Sequence, residues 1–216
     1  MSDSARSSLV RKGTIAAVCL LFVFLASPYT LRAQSQASAP SAPALRSAYG
    51  EKLKFAGLPN GGKISDSLFR GAQPRAEGFD QLKNLGITTI VDLRGEDAGK
   101  IAWERQQAES RGIRFVSIPL SGWSPPTNEQ IAQFLSLFKN EHEKVFVHCR
   151  YGEDRTGVFV AAYRMAHDSW TPSETIKEMY FFGFNGFFHP AMKSYINGFP
   201  STLKTSPALA SFAPLK

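Results

Sequence analysis

Cysteine is scarce in this chain of 216 residues: Cys19 and Cys149 are the whole supply. Two cysteines, one of them inside an apolar run near the N-terminus, exclude a fold framed by disulfides. Histidine is nearly as rare, with four copies. His142, His167 and His189 are scattered without metal-ligand spacing, so the sequence implies neither a metal nor a cofactor. Basic residues outnumber acidic ones by a formal +7, yet they form no run, which argues against a nucleic-acid partner. No stretch repeats at a period of about 20–50 residues, so a solenoid or propeller is also excluded.

Long apolar runs are likewise missing, with one exception. Arg11-Lys12 precedes the stretch Thr14 to Ala26, TIAAVCLLFVFLA, a positive region and an apolar region of signal-peptide length, too short for a spanning helix. Leu31-Arg32-Ala33 is an imperfect small-residue cleavage site. Residues 1–33 are therefore expected to be an export signal that sends the protein to the periplasm. The competing outcome is an uncleaved anchor in the inner membrane, which would be the chain's only membrane contact. Removing this segment takes away Arg6, Arg11, Lys12 and Arg32 against Asp3, and the net charge falls from +7 to +4. It also leaves Cys149 alone, as suits an exported thiol kept free for chemistry. Residues 34–44, rich in Ala, Ser, Pro and Gln, read as a flexible linker. Residues 45–200 suit one compact domain. Residues 201–216, with two prolines and little periodicity, read as a loosely held tail.

Within the domain, strand-like and helix-like segments alternate. Strands are expected at 64–69, 87–93, 113–118 and 145–147, and helices at 77–85, 98–110 and from Thr127-Asn128-Glu129-Gln130, a capping box, to Lys139. A further helix with a broad apolar face follows from Thr156. Such alternation predicts an α/β fold, a largely parallel central sheet with helices on both faces. Ligands bind such sheets beyond the carboxyl ends of the strands, where Cys149 falls.

The segment His148-Cys149-Arg150-Tyr151-Gly152-Glu153-Asp154-Arg155-Thr156-Gly157 carries the chemistry. It joins an apolar strand to a helix, so its backbone N–H groups lie at a helix N-terminus, where they lack intrahelical partners and the macrodipole is positive. Successive inward-pointing amides form an anion nest, and Gly152 lets the middle of the loop take a backbone angle closed to other residues. Arg155 grips two phosphate oxygens in a planar fork, a geometry that lysine lacks. The same positive surroundings favour the thiolate of Cys149, the nucleophilic form. Thr156 offers a hydroxyl to the departing thiolate, and His148 orients the loop from the strand side. Arg150, Tyr151, Gly152, Glu153 and Thr156 complete the phosphate- and substrate-binding surface, with Arg94 as a further rim contact.

On these residues the chain resembles the cysteine-dependent tyrosine and dual-specificity phosphatases. Ser67 to Pro74 (SLFRGAQP) and Thr89 to Arg94 (TIVDLR) narrow the resemblance to bacterial relatives of the plant and fungal atypical dual-specificity phosphatases, over roughly residues 64–188. The resemblance implies the cysteine-phosphatase fold and metal-free hydrolysis of phosphomonoesters through a phosphocysteine, with Cys149 as nucleophile and Arg155 as clamp.

One part of the family's pattern is missing. The loop Ile118 to Pro126 (IPLSGWSPP) stands where the family carries its general-acid aspartate, and it holds no carboxylate. Asp154, beside Arg155, is similar in place to the loop aspartate proposed as the acid in myotubularin lipid phosphatases, and is the candidate donor here. Glu153 stands where relatives acting on inositol phosphates tend to carry lysine. It weakens that reading and leaves a phosphorylated protein or a small phosphomonoester as the substrate class. A non-catalytic phospho-ligand module of the same fold and a rhodanese-like sulfur carrier are the rival readings. The aromatic segment Tyr180 to Phe188 is expected to pack mostly in the core, and Trp123 either to pack likewise or to cover the pocket.

Overall fold

The computed structural model describes residues 49–213. The expected export signal and linker lie outside the described residues. Six strands form one mixed sheet in the order β1-β2-β3-β6-β4-β5: β1 (Glu51–Lys52), β2 (Gly62–Lys63), β3 (Leu68–Ala72), β4 (Thr89–Arg94), β5 (Arg114–Leu120) and β6 (Val145–Cys149). The pairs β3·β6, β6·β4 and β4·β5 are parallel, and β1 and β2 add an antiparallel edge. Residues of β3, β4 and β6 are buried throughout, as expected of parallel strands covered on both faces.

The helices divide between the two faces. On one, α1 (Ala76–Asn84) and α2 (Ala98–Glu109) pack Phe79, Leu82 and Ala108 against Phe69, Ile90, Phe115 and Phe146. On the other lie α3 (Asn128–Ser136), α4 (Asp154–His167), α5 (Pro172–Phe181) and α6 (Pro190–Thr205). Capping boxes open α3 at Thr127/Gln130 and α5 at Thr171/Glu174; each satisfies otherwise orphaned amides. The sequence places α4 correctly but starts it two residues late. Every residue from Arg155 to Met165 is buried, because α4 lies between the sheet and the other helices of its layer.

Two expectations need correction. The strand expected at 64–69 starts instead at Leu68, because Ser65 Oγ accepts the amides of Ser67 and Leu68 and forms a turn. The tail from Ser201 is not loose over its described part. α6 runs to Thr205 with Met192, Ile196, Phe199 and Leu203 on its buried side, and Leu209 beyond it is fully buried. A fully buried leucine contributes roughly 1.5–3 kcal/mol, enough to hold a short terminal turn. Among the described residues no helix is long and apolar enough to cross a membrane.

Candidate active site

β6 ends at Cys149 between two parallel neighbours. Ala72 at the end of β3 is level with Cys149, and Asp92 of β4 is level with His148. The chain leaving β6 therefore emerges between the segments that leave β3 and β4, and all three contribute to one site. Cys149 is 4% exposed and is a free thiol. Gly152 takes φ +70, and any Cβ there would collide with the Gly71 carbonyl and the Ala72 nitrogen of β3. Glycine is therefore required twice over, for its backbone angle and for the close approach. Thr156 is fully buried in the first turn of α4, and its hydroxyl has no partner among the described residues.

The Arg155 guanidinium has a partner that the sequence did not reveal. Nη1 and Nη2 donate to the two carboxylate oxygens of Glu96, each at 2.8 Å, and Nη1 also reaches the Leu120 carbonyl at 3.3 Å. The hydrogen bonds from Arg155 hold the Glu96 carboxyl down at about 2. The clamp is thus braced from the ends of β4 and β5, a bidentate arrangement that fixes the plane of the fork.

The back of the loop is held by two more residues that sequence reasoning missed. Asn60 Nδ2 donates to the carbonyls of Tyr151 (3.2 Å), Gly152 (3.2 Å) and Phe182 (2.9 Å). Arg70 is fully buried, donates through Nη2 to the Gly152 carbonyl and stacks on Phe182 at 4.1 Å. Burial pushes its guanidinium down to about 10. Drawing these carbonyls to the back of the loop leaves its amides free to point at an anion, as a nest requires.

Below Cys149 lies a closed polar cluster. Arg94 is not a rim contact: it is 2% exposed, paired to Asp92 at 2.8 Å and to Glu104 at 2.9 Å. His148 Nε2 sits 3.3 Å from Glu104, and its Nδ1 lies 3.4 Å from the Cys149 carbonyl. Burial pushes Glu104 up to about 8 against the pull of Arg94, and His148 down to about 4. Asp92, Glu104 and His148 bring three ligand-type atoms within 4.8 Å of one another. They do not suit a divalent ion, because the Arg94 guanidinium already supplies the positive charge.

Asp154, the expected proton donor, is committed elsewhere. Its Oδ1 accepts the Asn185 amide at 3.0 Å, and its Oδ2 lies 3.3 Å from His189 Nε2. His189 precedes the first turn of α6, and the Trp123 ring lies tilted against it with centroids 5.1 Å apart. The carboxylate therefore ties the start of α4 to the turn between α5 and α6. Glu153 instead lines the open cavity beside the loop, and burial together with neighbouring Asp154 raises its carboxyl. Its stem packs on Gly183, where φ is +99 and a Cβ would fall 2.9 Å from Glu153 Cγ.

The aromatic segment divides differently from the expectation. Phe182 and Phe184 are buried, whereas Tyr180, Phe181, Phe187 and Phe188 are exposed. The reversal at Gly183 ends α5 and leaves the flanking rings outside the core. Trp123 is 70% exposed and rests on His189 rather than closing the pocket. Arg150 and Tyr151 are exposed at the mouth, with the guanidinium 5.3 Å from the ring centroid.

A family model described as DSP-PTPase phosphatase fused to NAD+ kinase matches residues 60–187. The dual specificity protein phosphatase TpbA of Pseudomonas aeruginosa (strain UCBPP-PA14) is 29% identical over 151 residues, 69% of this chain and 64% of that protein. The chain thus spans less than two thirds of that relative's length. Two solved structures are similar in fold. P. aeruginosa TpbA aligns with a TM-score of 0.59 at 23% identity, covering 71% of this chain and 91% of that one. The core catalytic domain of the PP-IP phosphatase SIW14 from S. cerevisiae aligns with a TM-score of 0.61 at 19% identity, covering 76% and 99%.

Proposed function

This chain belongs to the DSP-PTPase phosphatase family, and on that footing we propose that it hydrolyses phosphomonoesters through a phosphocysteine, with phosphotyrosine as its preferred substrate. The observation that carries the reading is Arg155, held edge-on by Glu96 at the helix end that receives Cys149. In the first step the Cys149 thiolate attacks phosphorus: an S–P bond forms, the P–O bond to the leaving group breaks, and the leaving oxygen takes a proton. In the second, water attacks phosphorus, the S–P bond breaks, and inorganic phosphate and the thiolate are released. The loop amides and Arg155 stabilise the equatorial oxygens in both steps.

The leaving-group proton sets the preference. The loop from Ser121 to Pro126 has no carboxylate and Asp154 is tied to the turn at 185–189, so the donor proposed here is Glu153, whose carboxyl is raised beside the open cavity. A donor outside the usual loop favours leaving groups that need little help, and a phenol such as tyrosine (pKa about 10) needs less than an alkyl alcohol. P. aeruginosa TpbA has been crystallised in complex with pTyr, which supports the same class. SIW14 is named as a PP-IP phosphatase; here an acid at position 153 disfavours so dense a polyanion.

Export remains part of the proposal. It is supported by Arg11-Lys12 before the apolar run and by Cys149 as the sole cysteine after cleavage at residue 33; fractionation with N-terminal sequencing tests it. The catalytic reading is tested with Cys149→Ser. Turnover of phosphotyrosine should disappear while tungstate still binds, because the cradle is backbone and Arg155. Residual turnover within about tenfold of wild type, or activity lost in EDTA and restored by a divalent ion, overturns the mechanism.

A further inference from the structure

A cavity of about 860 Å³ opens beside the catalytic loop. It is bounded by Arg150, Tyr151 and Glu153 of that loop, by the segment leaving β3 as far as Arg75, and by Lys100 and Trp103 on α2. Three cations thus face one acid, Glu153. Neither Arg75 nor Arg150 has an acidic partner among the described residues, whereas Lys100 is bridged to Asp97 at 2.9 Å. The walls also carry two rings. Trp103 is anchored edge-on against Phe79 with centroids 5.6 Å apart, and Tyr151 lies under the Arg150 guanidinium.

We propose that this cavity is a flanking subsite for a phosphotyrosine segment that carries an acidic residue, and an apolar one, next to the phosphorylated position. The inference rests on the phosphatase reading above and names the substrate class of that site. The volume accommodates about three residues of extended chain at roughly 3.3 Å each. Arg75 and Arg150 complement an Asp or Glu side chain, and the Trp103 and Tyr151 faces suit an aliphatic or aromatic one. A compact polyphosphate fits less well. The cations stand on three separate elements, one is already paired, and the Trp103 and Tyr151 rings add wall surface that a polyanion does not use.

The test compares kcat/KM on three phosphotyrosine peptides whose flanking residues are acidic, neutral or basic, alongside inositol hexakisphosphate and p-nitrophenyl phosphate. The acidic peptide should exceed the neutral one by about fivefold to tenfold, and the basic one should fall below it, with the spread shrinking as salt rises. In Arg75→Gln the acidic-to-neutral ratio should drop toward one, and in Trp103→Ala the loss should appear on peptides with an apolar flank. Equal rates on all three peptides, or a ratio unchanged in Arg75→Gln, overturn the subsite. Faster turnover of inositol hexakisphosphate than of every peptide overturns it as well. Failure to hydrolyse even p-nitrophenyl phosphate is a separate result, which overturns the phosphatase reading itself.

Discussion

Glu96 and Arg155 meet fork to fork, each carboxylate oxygen 2.8 Å from a guanidinium nitrogen, with the arginine 9% and the glutamate 47% exposed. The pair sets the plane of the clamp before any phosphate arrives, so binding need not order it. Glu96→Gln should therefore lower kcat/KM for phosphotyrosine by roughly fivefold to tenfold, discounted for the exposure of the glutamate. The pair also has a pH signature. The Glu96 carboxyl sits at about 2, below its ordinary 4.5, so its stabilisation is complete above the unfolded value and is lost as pH falls toward the folded one. The difference in thermal midpoint between wild type and Glu96→Gln should be constant at neutral pH and vanish between about pH 4.5 and 2. A difference that persists below this window would show that the ion pair is not its source.

Arg155→Lys should behave as a severe change. One ammonium cannot face both Glu96 oxygens, the Leu120 carbonyl and a phosphate together. The loss is expected at roughly 2–4 kcal/mol of transition-state stabilisation, a hundredfold or more in rate. Steady-state kinetics decide the point, and a lysine variant with near-normal turnover would mean that Arg155 acts only as a point charge.

The two loop carboxylates should separate by leaving group. Asp154→Asn keeps an oxygen for the Asn185 amide but loses the acceptor that faces His189, and is expected to slow p-nitrophenyl phosphate and phosphotyrosine equally, with a stability loss of about 1–2 kcal/mol. Glu153→Gln should slow phosphotyrosine more than the nitrophenyl ester, whose phenolate departs unaided. The opposite pattern would return the acid role to Asp154.

Asn60 and Arg70 should matter through the shape of the loop rather than through the core. Arg70→Met removes a fully buried cation with two nitrogens that lack a hydrogen-bond partner among the described residues, and so relieves a desolvation cost that offsets the lost contact. The Gly152 carbonyl keeps only its bond from Asn60, however, so inhibition by inorganic phosphate should weaken about tenfold while the melting temperature stays near wild type. Asn60→Asp, which sets an acceptor against three carbonyls, should weaken it further. Unaltered phosphate inhibition in both variants would remove them from the mechanism.

Much of the site was legible before the fold, because its chemistry is concentrated in one local segment. The spacing from Cys149 to Arg155, the apolar strand before them and the apolar helix after them are contiguous, and Gly152 marks the turn. The capping box at Thr127 and Gln130 was legible for the same reason, since both of its hydrogen bonds lie within four residues. Arg94 misled because its partner Glu104 is on another element, and a charge at a strand end looks exposed until the packing is known.

The sequence by itself determined the candidate nucleophile, the loop that would hold an anion and the α/β order, because each depends on neighbours in the chain. Only the tertiary structure decided what surrounds them. The strand order puts β6 between β3 and β4, which brings Glu96 to Arg155 and Arg70 to the back of the loop, while the loop before β2 adds Asn60 and the turn between α5 and α6 adds the partners of Asp154. Those contacts join residues 31 to 92 positions apart, and no local periodicity or propensity encodes them. They are set by which hydrophobic faces bury one another, a property of the whole chain.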